Sequence, residues 1–365
     1  MNKRDQRFQI AVLAGDGIGP EVMGACLQVL EVLQERFDGS TLAFREVAGG
    51  AGLYQATGAA LSEKGMAECR QADAILFGAA GLPQVRYPDG TEIATHLDLR
   101  AELALYAGVY PIRSYPRLPR VLADRRATEI DLVLVRELSE GLLCSRGRGV
   151  LEGDSVARET MLISRDGSRR VSEFAFRVAA RRAKSRRRPG KVTCVDQANV
   201  LSSMAFFRKV FGEVAAAHPA IEAEFGYVDA TAAKLVKSPW EFDVLVTENA
   251  CGGAFSSLAA ALAGSLSLAP TAEIGDQHAV FQPAHGSAPD IAGRGIANPV
   301  AQVLSAALML DWLADQHGEP RLAHAARILE GAVDKAMSVI YPIAFGGQDG
   351  TEAITRAIIA HIRRA

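Results

Sequence analysis

The feature that most constrains this 365-residue chain is a repeated alternation. Short apolar, β-branched runs are each followed by a polar turn and then by a stretch of helical periodicity. The spacing predicts strands over Phe8–Ala14, Ala74–Gly78, Leu132–Val135, Val192–Val195, Phe242–Val246 and Ala279–Phe281. After the first run, Val22, Cys26, Val29, Leu30, Leu33 and Phe37 share one helical face. Pro20 stands near the first helical position, where a missing N–H costs nothing. Such alternation predicts an α/β fold with largely parallel sheet flanked by helices. The 34 glycines suit the tight turns this requires.

In open parallel sheets ligands bind beyond the carboxyl ends of the strands, so the residues just after each run are the ones to read. They are Asp16–Gly19, Arg136–Glu137, Asp196–Asn199, Thr247–Asn249 and Gln282–Ser287. Five polar clusters at equivalent ends predict a cleft lined with hydrogen-bonding groups. Several chemistries are excluded by pattern. GxGxxG and the P-loop are absent, so neither standard phosphate cradle is present. GxSxG is absent, which removes the serine-hydrolase elbow. HExxH and paired Cys/His spacings are absent, which removes the usual zinc sites.

Forty Lys plus Arg against 42 Asp plus Glu give a formal charge of −2, which argues against nucleic acid as a partner. The basic run Arg181–Arg188 reads as the cationic end of a helix beginning near Ser172, where it complements the helix dipole. The scattered Cys26, Cys69, Cys144, Cys194 and Cys251 lack CxxC spacing and read as reduced thiols. The apolar run after the basic N-terminal residues is too short for a secretory core, and Ala254–Pro270 is too short and polar to span a membrane. A cytoplasmic protein without membrane association is expected.

Specific strings then occur in order: Ala14–Glu21 (AGDGIGPE), Val135–Leu138 (VREL), Val195–Asn199 (VDQAN), Tyr227–Ala230 (YVDA), His285–Gly293 (HGSAPDIAG), Ala297–Pro299 and Gly350–Glu352. Together they closely resemble the isocitrate/isopropylmalate/tartrate dehydrogenase family, essentially end to end. The resemblance implies an isopropylmalate-dehydrogenase-like fold of two α/β domains around a cleft. Residues 1–105 plus 264–365 would form the cofactor-binding domain, and 106–263 an inserted substrate and dimerisation domain. It also implies a homodimer with shared sites, and NAD(P)-linked oxidation of a 2-hydroxy acid followed by metal-assisted decarboxylation.

Carried over position by position, the resemblance makes Arg100 and Arg136 clamps for a small carboxylate ligand, with Asn199 beside them. A third arginine position of the family is Tyr110 here. His285, Gly286, Ser287, Ala288, Asp290 and Asn298 match the cofactor segment, and an acid at Asp290 favours NAD over a 2′-phosphorylated cofactor. Gln282 stands where the family often has Glu. The chemical positions depart from the family. Its base, a Lys, is Gln197; its Tyr is Leu143; two metal-binding Asp on one helix face are Gly253 and Ser257. Asp229, the acid lent across the dimer in relatives, remains, with Lys234 and Glu248 as conceivable substitute groups.

NAD without Mg²⁺ or Mn²⁺ is the expected cofactor set. A positioned acid or base contributes ~10²–10⁴-fold, so the replacements point to a protein repurposed from ordinary oxidative decarboxylation to metal-independent chemistry. A non-catalytic regulatory or binding subunit, and a malate-type decarboxylase using substitute residues, are the alternatives.

Overall fold

The structure, a computed structural model, describes residues 7–37 and 42–365. The basic N-terminal residues Lys3 and Arg4 lie outside them. Twelve strands form among the described residues: β1 (Phe8–Gly15), β2 (Leu42–Glu46), β3 (Ala74–Ala79), β4 (Ala107–Arg113), β5 (Asp131–Glu137), β6 (Val150–Glu152), β7 (Val156–Arg158), β8 (Lys191–Asp196), β9 (Glu222–Tyr227), β10 (Val244–Thr247), β11 (Pro270–Ile274) and β12 (Ala279–Pro283). Eleven helices accompany them: α1 (Gly19–Glu35), α2 (Ala51–Thr57), α3 (Glu63–Gln71), α4 (Thr95–Glu102), α5 (Arg165–Arg186), α6 (Ser202–Ala217), α7 (Val228–Lys237), α8 (Asn249–Leu262), α9 (Val300–His317), α10 (Pro320–Met337) and α11 (Thr351–Ile362).

Ten strands join in one sheet, in the order β2-β1-β3-β12-β11-β4-β5-β10-β8-β9. Six pairings are parallel. The three around β11 and β4 are antiparallel. Strands from residues 1–105 and 264–365 make the first five places, and strands from 106–263 the other five. Both faces are covered, as buried parallel strands require. On the first half, one face meets α1, α9, α10 and α11 in the largest apolar cluster, which includes Leu30, Phe281, Val303, Leu329 and Ile358. The other face holds Leu13, Phe77 and Leu99. The second half is likewise sandwiched, with Leu134, Leu245 and Phe255 on one side and Val135, Phe176 and Phe211 on the other.

The long helix expected near Ser172 begins seven residues earlier, at Arg165, because Ser164 caps it by accepting from Gly167 N at 3.0 Å. Its basic end is ion-paired. Arg181 meets Asp311 and Asp315, and Arg182 meets Asp243 at 2.8 Å, with Asp131 shared by Arg182 and Arg186. All five cysteines are free thiols. No helix of the described residues is long and apolar enough to cross a membrane.

Candidate active site

The glycine turn after β1 is a structural hub. Gly15 and Gly17 have φ of +77° and +58°, and a Cβ on them would run into Ala79 O and Ser287 O. Between them, buried Asp16 accepts from Ala51 N (2.7 Å), Gly52 N (2.8 Å) and Gly81 N (2.9 Å). Ile18 N donates to Ser287 O at 2.7 Å. The turn thereby caps α2 and ties the β12–α9 loop to the start of the chain, a role that the resemblance does not assign to it.

That loop carries the residues matched to the cofactor segment. Ser287 donates to Gly81 O, and Ala288 is held at φ +35°, a conformation an L-residue adopts only where its surroundings impose it. Asn298 is buried, accepts from Val300 N at 3.1 Å and so fixes the entry to α9. His285 Nδ1 faces Gly286 O at 2.9 Å. Its Nε2 is buried and finds no partner among the described residues. Burial holds the imidazole pKa below its ordinary value, so the ring is neutral and can hydrogen-bond a neutral ligand atom. Gly286 has open space where a side chain would stand, and Asp290 is exposed with its carboxylate outward. An orphaned buried nitrogen, an open glycine and a free carboxylate in one loop fit a nucleotide cofactor.

Across the sheet, Arg136 at the end of β5 lies against the first turn of α8. Its Nε donates to Asn249 O at 2.7 Å and its Nη2 to Asn249 Oδ1 at 3.1 Å. Gly252 makes this possible, since a Cβ there would strike the Arg136 stem; a Cβ at Gly253 would come 3.1 Å from Nη2. Arg136 is half-buried, with its Nη1 bonded to no other group among the described residues.

Arg100 stands differently from an open clamp. It is 5% exposed, and its fork is engaged by Glu273 of β11, with Nε to Oε2 at 3.1 Å and Nη2 to Oε1 at 2.5 Å. Gln282 Nε2 donates to the same Oε1 at 3.1 Å. Burial alone would raise the Glu273 carboxyl and lower the Arg100 guanidinium. Each partner's charge reverses that, so both are held ionised. His96, pressed by burial to about 4, neighbours Glu273, Arg100, Arg146 and Asp98. Arg146, just past Leu143, meets Asp98 of α4 at 2.9 Å. The sequence reading missed Glu273, although a lone carboxylate in Pro270–Ile274 was a visible signal of a buried charge needing a partner.

Leu143 is half-buried in a single 3₁₀ turn. Gln197 and Asn199 are exposed on the turn after β8, where Gln197 O accepts from Val200 N and Leu201 N. Asp229 is exposed in the first turn of α7. Lys234 is drawn to Glu224 (3.3 Å) and Glu241 (3.7 Å) and lies over the Phe242 ring. Glu248 is fully buried and caps α8, accepting from Ala250 N (2.9 Å) and Cys251 N (2.7 Å). Ser257 Oγ donates to Gly253 O at 3.2 Å.

The arrangement is that of an α/β protein with polar residues gathered at the carboxyl ends of its parallel strands, a nucleotide-fitting loop on one half of the sheet and a guanidinium on the other. Comparison with known proteins is more specific. Residues 9–358 match the family described as isocitrate/isopropylmalate dehydrogenase, and the chain belongs to that family. It is 36% identical to the 3-isopropylmalate dehydrogenase of Aquifex aeolicus (strain VF5), over 98% of each chain. It is 40% identical to the enzyme of that name from Thermotoga maritima, over 95% of this chain and 96% of the other. The crystal structure of isocitrate dehydrogenase from Methylococcus capsulatus superposes with a TM-score of 0.83 at 32% identity, covering 98% and 99% of the two chains.

These relatives correct the expected cofactor set. The end-to-end match is to enzymes whose named reaction is the NAD- and metal-dependent kind outlined above, so the expectation of no Mg²⁺ or Mn²⁺ is withdrawn. Among the described residues of one chain, no group of three or more His, Cys, Asp or Glu is assembled for an ion. At the matched positions there remain the Asp229 carboxylate and the Ser257 hydroxyl, a set too small by itself for a hard cation.

Proposed function

We propose that this chain is an NAD(H)-binding member of the dehydrogenase family that holds a small carboxylate at Arg136, works as a cytoplasmic homodimer, and has lost the proton-transfer groups of ordinary oxidative decarboxylation. One observation carries this reading. Gln197 and Leu143 stand at the base and acid positions, while each substitute is already engaged, Lys234 by Glu224 and Glu241 and Glu248 by the α8 cap. A Gln amide takes up no proton near neutral pH, and a leucine has none to give. On the binding side, His285 Nε2 and the Asp290 carboxylate are the groups that would hold the adenosine end of NAD, which supplies a hydride acceptor when bound. The reading favours altered chemistry on a retained binding frame. The non-catalytic binding subunit shares that frame and is separated from it only by turnover.

The test is calorimetric titration of the full chain with NAD(H), followed by NAD reduction with 3-isopropylmalate, isocitrate, malate and tartrate in the presence of Mg²⁺ or Mn²⁺. Cofactor binding with turnover at least ~10²-fold below an ordinary dehydrogenase is expected. Turnover of ~1–10³ s⁻¹ with any of the four acids would refute the lost-apparatus reading. Restoring Gln197→Lys, Leu143→Tyr, Gly253→Asp and Ser257→Asp together should raise the rate.

A further inference from the structure

Glu273 closes one side of the cleft floor chemically. The strand register sets Glu273 beside Gly108 of β4, and Gly108 beside Arg136 of β5, so the two charged residues face the same way with a glycine between them. Glu273 is 1% exposed. Its two oxygens take the Nε–Nη2 edge of Arg100, the edge by which a guanidinium grips a carboxylate in fork geometry. Gln282, on the neighbouring strand, adds a hydrogen bond to Glu273 rather than a competing charge. Position 110, on the same face two residues beyond Gly108, is a buried tyrosine. Along this floor, Arg100 already holds a carboxylate that belongs to the protein, whereas Arg136 bonds only Asn249 and has no carboxylate partner among the described residues.

We propose that Glu273 is a specificity residue, a resident carboxylate that occupies Arg100 so that the cleft takes a small 2-hydroxy monocarboxylate, gripped once by Arg136, with a neutral group towards Arg100. The inference deepens the carboxylate reading above and rests on it. A second carboxylate entering beside Glu273 would be repelled and would find the Nε–Nη2 fork of Arg100 taken. The energetic asymmetry is large, because a buried charge without a partner is far costlier than a paired one. An incoming carboxylate could claim Arg100 only by displacing Glu273 into an apolar sheet interior.

The experiment uses pairs of acids that differ by one carboxylate: 2-hydroxyisocaproate against 3-isopropylmalate, and lactate against malate. Each is titrated calorimetrically into the NADH-loaded wild-type chain and into Glu273→Ala. The wild type is expected to bind the monoacid of each pair at least tenfold more tightly. Glu273→Ala frees Arg100 and should gain at least tenfold for the diacids alone. A wild type that prefers the diacids overturns the inference while leaving a carboxylate-binding cleft. A folded Glu273→Ala that binds diacids no better than wild type also overturns it. If Glu273→Ala fails to fold, the isosteric Glu273→Gln replaces it, and the wild-type comparison stands without either variant. Absence of binding by all four acids at millimolar concentration would refute the carboxylate reading itself, and the inference with it.

Discussion

Replacing Asp16 should strip the turn after β1 of its central acceptor. Its carboxylate accepts three backbone N–H groups, from Ala51, Gly52 and Gly81, all at 2.7–2.9 Å and away from water. Hydrogen bonds to a charged acceptor contribute ~1.5–3 kcal/mol each. Two of these donors lie in the first turn of α2, where the helix dipole adds ~0.3–1 kcal/mol. The contributions are not additive, so Asp16→Ala is expected to destabilise by ~4–6 kcal/mol. Asp16→Asn keeps one acceptor oxygen and turns an NH₂ towards a donor, for a loss of ~2–3 kcal/mol. At about 2 °C per kcal/mol, calorimetric midpoints at one scan rate should fall ~8–12 °C for Ala and ~4–6 °C for Asn. Because the same turn is bonded to Ser287 O, NADH affinity should weaken in the same order. An Ala variant within ~2 °C of wild type, or an Asn variant as damaged as Ala, would refute this account of the turn.

Three further outcomes follow from named contacts. His285→Ala should weaken NADH binding at least ~10-fold by calorimetry with little change in midpoint, because Nε2 has no partner among the described residues to lose. Asp243→Asn should destabilise by ~3 kcal/mol in urea, since buried Asp243 joins Arg182 (2.8 Å), Arg186 (3.2 Å) and Lys191 N (3.2 Å). His96, among Glu273, Arg100, Arg146 and Asp98, is held down to about 4, so the fold rejects a proton that the unfolded chain accepts below pH ~6.5. Stability is full above that pH and falls by up to about 1.4 kcal/mol per unit between ~6.5 and 4; His96→Gln should flatten this fall in midpoint-against-pH curves, and parallel curves would sink the reasoning.

The strands legible in the sequence are those buried on both faces. Val192–Val195 and Leu132–Val135 are uninterrupted apolar runs because helices cover them above and below. The strands that escaped notice have physical reasons for doing so. β2 and β9 are edges and carry polar residues outward. β4 and β11 lie in the middle of the sheet, yet they contain Gly108, Pro111, Pro270 and Glu273, which locally read as loop. What makes Glu273 tolerable in a central strand is Arg100, 173 residues away in sequence. Hydrophobic periodicity carries no such long-range information. The cofactor loop was legible as a string, but its support by Asp16 and Glu21 was not. Glu21 accepts from Ala297 N and Thr351 Oγ1, joining three distant motifs that read separately as turns.

The acids at the strand ends show why a polar cluster in a cleft does not by itself mean reactivity. Asp16 holds three backbone donors and Glu248 caps α8. Asp196 accepts from Ala198 N at 2.9 Å and from Arg208 at 2.8 Å. Glu137 accepts from Ser139 N and Glu140 N, and burial raises its pKa. Each of these carboxylates spends its lone pairs keeping a turn in place, and protonating any of them would release buried N–H groups at ~1–3 kcal/mol apiece. A general base must instead have a lone pair that is free in the resting state and reachable by the ligand. Among the described residues, Arg136 Nη1 and His285 Nε2 have no partner, and the Asp290 and Asp229 side chains are exposed. The proposed function uses the first three for a carboxylate and a nucleotide. Asp229 is exposed, with Oδ1 accepting from Ala230 N at 2.8 Å and the other oxygen without a partner among the described residues. Chemistry in one chain therefore depends on whether Asp229 reaches a ligand at all. Any residual turnover should therefore vanish on Asp229→Asn while calorimetric binding of NADH persists.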